Sequence, residues 1–201
     1  MTQAYAKTMF GEAAKRYQEQ HGSRAQYERA AERGEIGDAL GPMEWDFIAR
    51  RDSFYLASVT EDGWPYVQHR GGPKGFLRVL DGRTLAFADF TGNKQYITAG
   101  NLATNDRVAL FLMDYPQQAR LKIIGHARVM EDDKELEAKV RVAGYKAKIE
   151  WVMAIAVVGY DWNCSQHITP RWTREEIEAV MGGRGKLVRG ESGDHSRGGG
   201  F

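Results

Sequence analysis

Phe54-Tyr55-Leu56-Ala57-Ser58-Val59, then Glu61-Asp62-Gly63, then Pro65-Tyr66-Val67-Gln68-His69-Arg70: an apolar run turns at Asp-Gly and returns as a second run. The pattern repeats at once, with Phe76-Leu77-Arg78-Val79-Leu80 turning at Asp81-Gly82 into Thr84-Leu85-Ala86-Phe87-Ala88. Asp-Gly between apolar runs signals a hairpin, because both residues accept positive φ at low cost. The chain breaks at Thr91-Gly92-Asn93-Lys94, passes through a short helical segment to Thr104, and resumes as strands over Arg107 to Met113 and Leu121 to Met130. Short antiparallel strands with one inserted helix, and no βαβ rhythm, predict a mainly β protein with flanking helices, closed as a small barrel.

In the first strand Phe54, Leu56 and Ser58 share one face, and Tyr55, Ala57 and Val59 the other. Arg107 to Met113 is apolar on both faces, as a central covered strand would be. Ile149 to Trp162, rich in Val, Ile, Met and Ala, reads as the closing strand, with a buried helix as the alternative.

Before the barrel, residues 4 to 33 are charged and helix-friendly, with Tyr5, Met9, Ala13 and Tyr17 at four-residue spacing. His21-Gly22-Ser23 interrupts that pattern. Gly34 to Gly41 is a connector, and Pro42 suits the first turn of a helix from Met43 to Arg51, with Trp45, Ile48 and Ala49 on its apolar face. After the strands, Asp132 to Val142 predicts a helix, and Thr173-Arg174-Glu175-Glu176 has a capping-box pattern. Gly182 onward is Gly, Arg and Ser-rich and reads as a disordered tail. The expected division is a helical extension over residues 1–41, a barrel domain over 42–181 and a tail over 182–201.

The 201 residues carry 28 basic and 27 acidic groups for a net charge of +1, so no global field recruits nucleic acid or anionic lipid. Cys164 is the single cysteine, which excludes an internal disulfide and fits a reducing cytoplasm. No signal-peptide pattern and no apolar run of about 20 residues is visible, so the expectation is a soluble cytoplasmic protein without membrane or nucleic-acid partners.

Three stretches have the composition of binding loops. In Gln68-His69-Arg70-Gly71-Gly72-Pro73-Lys74 the glycines would expose amides beside two cations; the alternative is an ordinary Gly-Pro turn. In Asp89-Phe90-Thr91-Gly92-Asn93-Lys94-Gln95 a strand hands over to a helix, and free amides with a lysine form a phosphate cradle. The alternative there is a plain helix start capped by Thr91 or Asn93. Trp162-Asn163-Cys164-Ser165-Gln166-His167-Ile168-Thr169-Pro170-Arg171 crowds aromatic and cationic groups into a loop. Cys164 and His167 have no second Cys/His pair, which argues against a metal site, and a packed structural loop is the competing reading.

Taken in order, the Trp-Pro-Tyr after the Asp-Gly turn, the Gly-Asn-Lys helix start, Asn105-Asp106-Arg107-Val108-Ala109-Leu110 and Leu121 to Val129 resemble the pyridoxamine 5'-phosphate oxidase-like, FMN-binding split-barrel family. The resemblance covers about residues 44 to 171, and Trp162 to Arg171 is similar to a flavin-nucleotide-binding subgroup. It implies a Greek-key-like split β-barrel and a homodimer with FMN between the subunits. It also implies that Gln68, His69, Arg70 and Gly71 run along the flavin. Asn93 and Lys94, with Gln95 next, stand at the family's phosphate-binding Arg-Lys pair, so Asn93 replaces one cation. Arg120 stands where a flavin-contacting Gln is common, and Lys122 is its neighbour. Trp162, His167 and Arg171 belong to the segment that reaches the cofactor. The segment between departs from the oxidase's substrate pattern, so the substrate implied is a different small molecule, with NAD(P)H as a candidate donor. Other implied readings are a flavin-binding protein without turnover, or a haem- or deazaflavin-binding barrel with His126 or His167 as haem ligand.

Overall fold

The structure is a computed structural model that describes residues 4–33, 35–163 and 166–189. Alternation of apolar residues sets the sheet. In β2 (Ser53–Val59) Phe54, Leu56 and Ser58 are buried while Tyr55 is exposed, which is the facing read from sequence. A turn with Gly63 at φ 84° returns the chain as β3 (Pro65–Gly71), registered so that Phe54 opposes Arg70 and Leu56 opposes Gln68. β4 (Arg78–Asp81) and β5 (Thr84–Phe90) form the second hairpin.

The turn between them differs in its cause from the expected one. Gly82 lies outside the positive-φ region; a side chain there would meet the Leu40 carbonyl at 3.2 Å, and Leu40 N donates to Gly82 O at 2.7 Å. The glycine thus admits the connector that passes over the hairpin.

β6 (Arg107–Asp114), β7 (Ala119–Met130) and β8 (Ile149–Asn163) complete an antiparallel sheet in the order β3-β2-β6-β7-β8-β5-β4, and β8 is a strand throughout. The connector contributes β1 (Ile36–Gly37), a two-residue strand on β8 that the sequence did not announce. The sheet curls around one core that includes Leu56, Phe87, Leu110, Ile123 and Ile155, all at most 1% exposed. β3 and β5 come together across it without a backbone ladder between them, leaving the barrel split along one seam.

Helices cover the outside. α1 (Ala4–Met9), α2 (Glu12–Gln20) and α3 (Arg24–Glu32) form the extension, broken at Phe10-Gly11 where a single helix was expected. Tyr5 and Ala30 bury themselves with Ile36 and Ile124 on the outer sheet face. Ser23 precedes α3 without a side-chain cap. α4 (Pro42–Ala49) buries Phe47 and Ile48, while Trp45 stays 43% exposed and donates Nε1 to the Leu40 carbonyl. α5 (Ile97–Thr104) is the inserted helix, and α6 (Lys134–Val140) is capped by Asp133, which accepts from Leu136 N at 2.9 Å. α7 (Arg174–Arg189) starts with the expected capping box, Thr173 N donating to Glu176 and Glu176 N to Thr173 Oγ1. It then continues past Gly182, where the tail was expected to begin: glycine costs a helix about 1 kcal/mol but does not forbid it. Residues 190–201 lie outside the described residues.

The seating of α1 gives a direct test. A side chain at Gly159 would stand 2.8 Å from Tyr5 Cβ and 2.9 Å from the Gly37 carbonyl. Gly159→Ala is therefore expected to destabilise by about 1–3 kcal/mol and to speed proteolysis within residues 4–33; unchanged proteolysis would mean that α1 is not seated by this contact.

Candidate functional site

The seam holds the chemistry. Arg70 on β3 reaches across it, its Nη1 donating to Asp89 Oδ1 on β5 at 2.6 Å, with the side chains 13% and 14% exposed. The register that pairs Asp89 with Trp151 on β8 lets Trp151 Nε1 donate to Asp89 Oδ2 at 3.1 Å. Burial lifts the Asp89 carboxyl above its ordinary range, more than the Arg70 charge and the Trp151 bond pull it down. The Arg70 guanidinium also lies 5.9 Å from the Phe87 ring centroid, and its Nε is buried without a hydrogen-bond partner.

Beside this pair, the β5–α5 segment forms the rim of a cleft of about 240 Å³. Thr91 N donates to the Lys148 carbonyl, which anchors the segment's start. Lys94 and Tyr96 both adopt left-handed backbone, at φ 57° and 54°, conformations that non-glycine residues hold at a cost. Tyr96, not Thr91 or Asn93, occupies the position before α5, and it gives no side-chain cap. The Asn93 side chain accepts from Gln95 N at 3.3 Å instead. No side chain caps the start of α5, and its first residues Ile97, Thr98 and Ala99 line the cleft with Lys94. Thr98 Oγ1 donates to Gln68 Oε1 at 3.0 Å and Asn101 Nδ2 to Ser58 Oγ at 2.9 Å, which fasten α5 to β3 and β2.

Charge in the cleft is nearly balanced. Asp89 occupies Arg70, and Glu150 accepts from the Tyr96 hydroxyl at 2.7 Å, which raises the Tyr96 hydroxyl above its ordinary value. Among the described residues, no carboxylate lies within ion-pair distance of Lys94. An uncapped helix start beside an unpaired lysine favours a phosphate or similar anion electrostatically.

Of the residues singled out from sequence, Gln68, Arg70, Asn93, Lys94 and Gln95 line this cleft. His69 and Gly71 border an adjoining seam hollow with Gln68 and Arg70. The His69 side chain turns to the other face of β3, edge-on to Tyr55 at 5.6 Å. The amides of the glycine pair are not on offer as a pair: Gly72 N donates to the Asp52 carbonyl, and a side chain at Gly72 would strike Phe76 at 2.7 Å, so that glycine serves packing.

The remaining five lie elsewhere in the subunit. Arg120 opposes Met113 and Asn163 in the β7 ladders. Lys122 pairs with Asp161 at 2.5 Å under Tyr5; burial lowers the ammonium, but the bonds to Asp161 and Tyr5 prevail and raise it. Trp162 packs edge-on against Phe47 and donates Nε1 to the buried Glu44 carboxylate at 2.7 Å. His167 is exposed with φ 63°, and Arg171 lies over Tyr115 at 5.0 Å. Cys164 lies outside the described residues, which form no cluster of three His, Cys, Asp or Glu groups suited to a metal. His126 binds Asp106 at 2.8 Å, away from the Lys94 cleft. No described helix is long and apolar enough to cross a membrane.

Sequence reasoning gave no role to Asp89, Tyr96, Thr98, Glu150 or Trp151. Asp89 did leave a signal, since a carboxylate inside the apolar run Leu85 to Phe90 requires a buried partner.

Comparison with known proteins agrees with this architecture. No curated protein matches the chain. HupZ from Group A Streptococcus is 18% identical, covering 66% of this chain and 99% of its own, with a TM-score of 0.51. A putative pyridoxamine 5'-phosphate oxidase from Lactobacillus delbrueckii is 24% identical, covering 61% of this chain and 93% of its own, with a TM-score of 0.47. The HupZ likeness concerns the fold alone. The family model described as pyridoxamine 5'-phosphate oxidase matches residues 45–162, which takes in β2 through most of β8 and every side of the Lys94 cleft, and the chain belongs to that family.

Proposed function

We propose that the protein is an FMN-binding flavoprotein that acts as an FMN-dependent oxidoreductase on a small molecule. The observation that carries this reading is the unpaired Lys94 beside the uncapped start of α5, in a cleft of a chain from this family. Lys94 and the α5 amides would hold the flavin phosphate. Gln68, fixed by Thr98, and Arg70, fixed by Asp89, would border the attached group along β3. When bound, the flavin supplies the hydride and electron chemistry. The chain's part is then to hold and orient it, so the reading needs no separate acid–base pair. Arg70 meets the cofactor with its charge already neutralised by Asp89, leaving Lys94 and the amides as the main phosphate donors.

We place this cofactor in a homodimer. The outer face of β2 and β3 carries Tyr55 at 38% exposure and Val67 at 60%, with Trp64 at 73% on the adjoining turn, an apolar face that a second copy would cover. Arg171, His167 and Arg120, remote from their own subunit's cleft, would then act toward the partner's cofactor. The haem alternative has less support: His126 is engaged by Asp106 and borders a different hollow.

The test is a spectrum of the protein purified without added cofactor, and again after incubation with FMN. Flavin absorbance that leaves with FMN on denaturation, followed by NAD(P)H oxidation with an acceptor, supports the oxidoreductase. A bound flavin that no donor reduces supports the binding protein without turnover. A Soret band, or no flavin retained after incubation, overturns both.

A further inference from the structure

α7 is a helix of 16 residues whose apolar face the subunit leaves open. Ile177, Val180 and Met181, at the i, i+3, i+4 spacing of one helix face, are 48%, 59% and 68% exposed. In sequence, Leu187 and Val188 continue that spacing. Propensity alone does not explain the helix. Its length is near the shortest that stands alone in water even for Ala-rich chains, and Gly182, Gly183 and Gly185 each weaken it relative to alanine. The Thr173–Glu176 capping box anchors only the first turn. A helix of this kind is held through its apolar face, so that face calls for a partner.

The charges along α7 indicate which partner. Its first half carries Glu175, Glu176 and Glu178 with one cation, Arg174; its second half carries Arg184, Lys186 and Arg189 with no acid. A second α7 laid antiparallel sets each acidic half against a basic half, whereas a parallel copy sets like against like. Arg184 gives the same answer. It falls at helical spacing within the apolar stripe, where a parallel copy would oppose it with itself. An antiparallel copy opposes it with the half that carries Glu178. A contact between two helices about 24 Å long lies at or below the roughly 1,200 Å² at which stable interfaces begin, so the pairing is a weak one.

We propose that α7 docks antiparallel on the α7 of a second copy of this chain, with Ile177, Val180 and Met181 in the seam. None of these residues belongs to the β2–β3 face or lines the Lys94 cleft, and the proposal does not rest on the flavin reading.

Disulfide trapping in the full chain tests it. Met181→Cys, near the midpoint of the helix, should give a disulfide joining position 181 of the two copies under mild oxidation. Mass spectrometry identifies that bond and separates it from any bond to Cys164. Arg174→Cys should give no bond between the two copies of position 174, because antiparallel pairing holds them about 22 Å apart. Added to Met181→Cys, Val180→Asp should reduce the trapping at least about tenfold, since it places a carboxylate in the seam. Glu178→Lys should reduce it about fivefold, and Glu178→Lys combined with Arg184→Glu should regain most of that loss. Val180 and Glu178 are both exposed in the subunit, so these variants leave its fold in place. No bond at position 181 at about 0.5 mM protein would overturn the proposal. So would equal trapping at position 174, the mark of parallel pairing or random collision, or trapping indifferent to Val180→Asp and Glu178→Lys.

Discussion

Arg70→Ala is expected to lower stability by about 3 kcal/mol or more, because it leaves the Asp89 carboxylate in the seam without its cation. For a chain of this length that is a fall in Tm of roughly 6–12 °C. The loss should depend on pH with a defined sign. Burial already raises Asp89 above its ordinary value of 3.8, so the folded state holds that proton more tightly than the unfolded chain does. Such a group favours folding in acid, and the benefit is lost as pH rises through the raised value. Removing Arg70 takes away a cause that lowers Asp89 and moves it further up. The deficit of Arg70→Ala should therefore be largest at neutral pH and shrink on acidification as Asp89 becomes protonated. A deficit that is small, or equal at pH 5 and pH 7, would mean that the pair does not close the seam.

The second large effect concerns the apolar floor of the same seam. Phe87 is 1% exposed, lies edge-on to Phe54 at 5.2 Å and to Phe76 at 6.3 Å, and sits under the Arg70 guanidinium. Phe87→Ala should cost about 3–5 kcal/mol in denaturant unfolding, by lost burial plus the cavity left behind. Phe10→Ala, at the tilted Phe10–Tyr27 contact of the extension, should cost clearly less, because Phe10 is only half-buried. Equal costs would contradict a core centred on the seam.

What could be read from sequence was local. The inward facing of Phe54, Leu56 and Ser58, the turn at Asp62-Gly63 and the Thr173–Glu176 capping box follow from neighbours a few residues apart, and the structure bears each of them out. The cleft was legible in half: Asn93 and Lys94 stood out because a glycine and a lysine precede a helix. What Arg70 would face was not legible. Asp89 is 19 residues away and meets it only because the sheet curls past four intervening strands. Glu44 and Trp162, 118 residues apart, are joined in the same way. Gly82 shows that a correct turn signal need not give the right reason: it was read as conformational freedom, whereas the Leu40 carbonyl is what excludes a side chain there.

The most direct measurement compares the affinities of FMN and riboflavin, in the wild-type chain and in Lys94→Ala. The two ligands differ only in the phosphate. With that group held by Lys94 and the α5 amides, FMN should bind at least about tenfold more tightly than riboflavin, and Lys94→Ala should erase most of the difference while leaving riboflavin binding in place. Equal affinities in the wild-type chain, or an FMN preference untouched by Lys94→Ala, would contradict the site described.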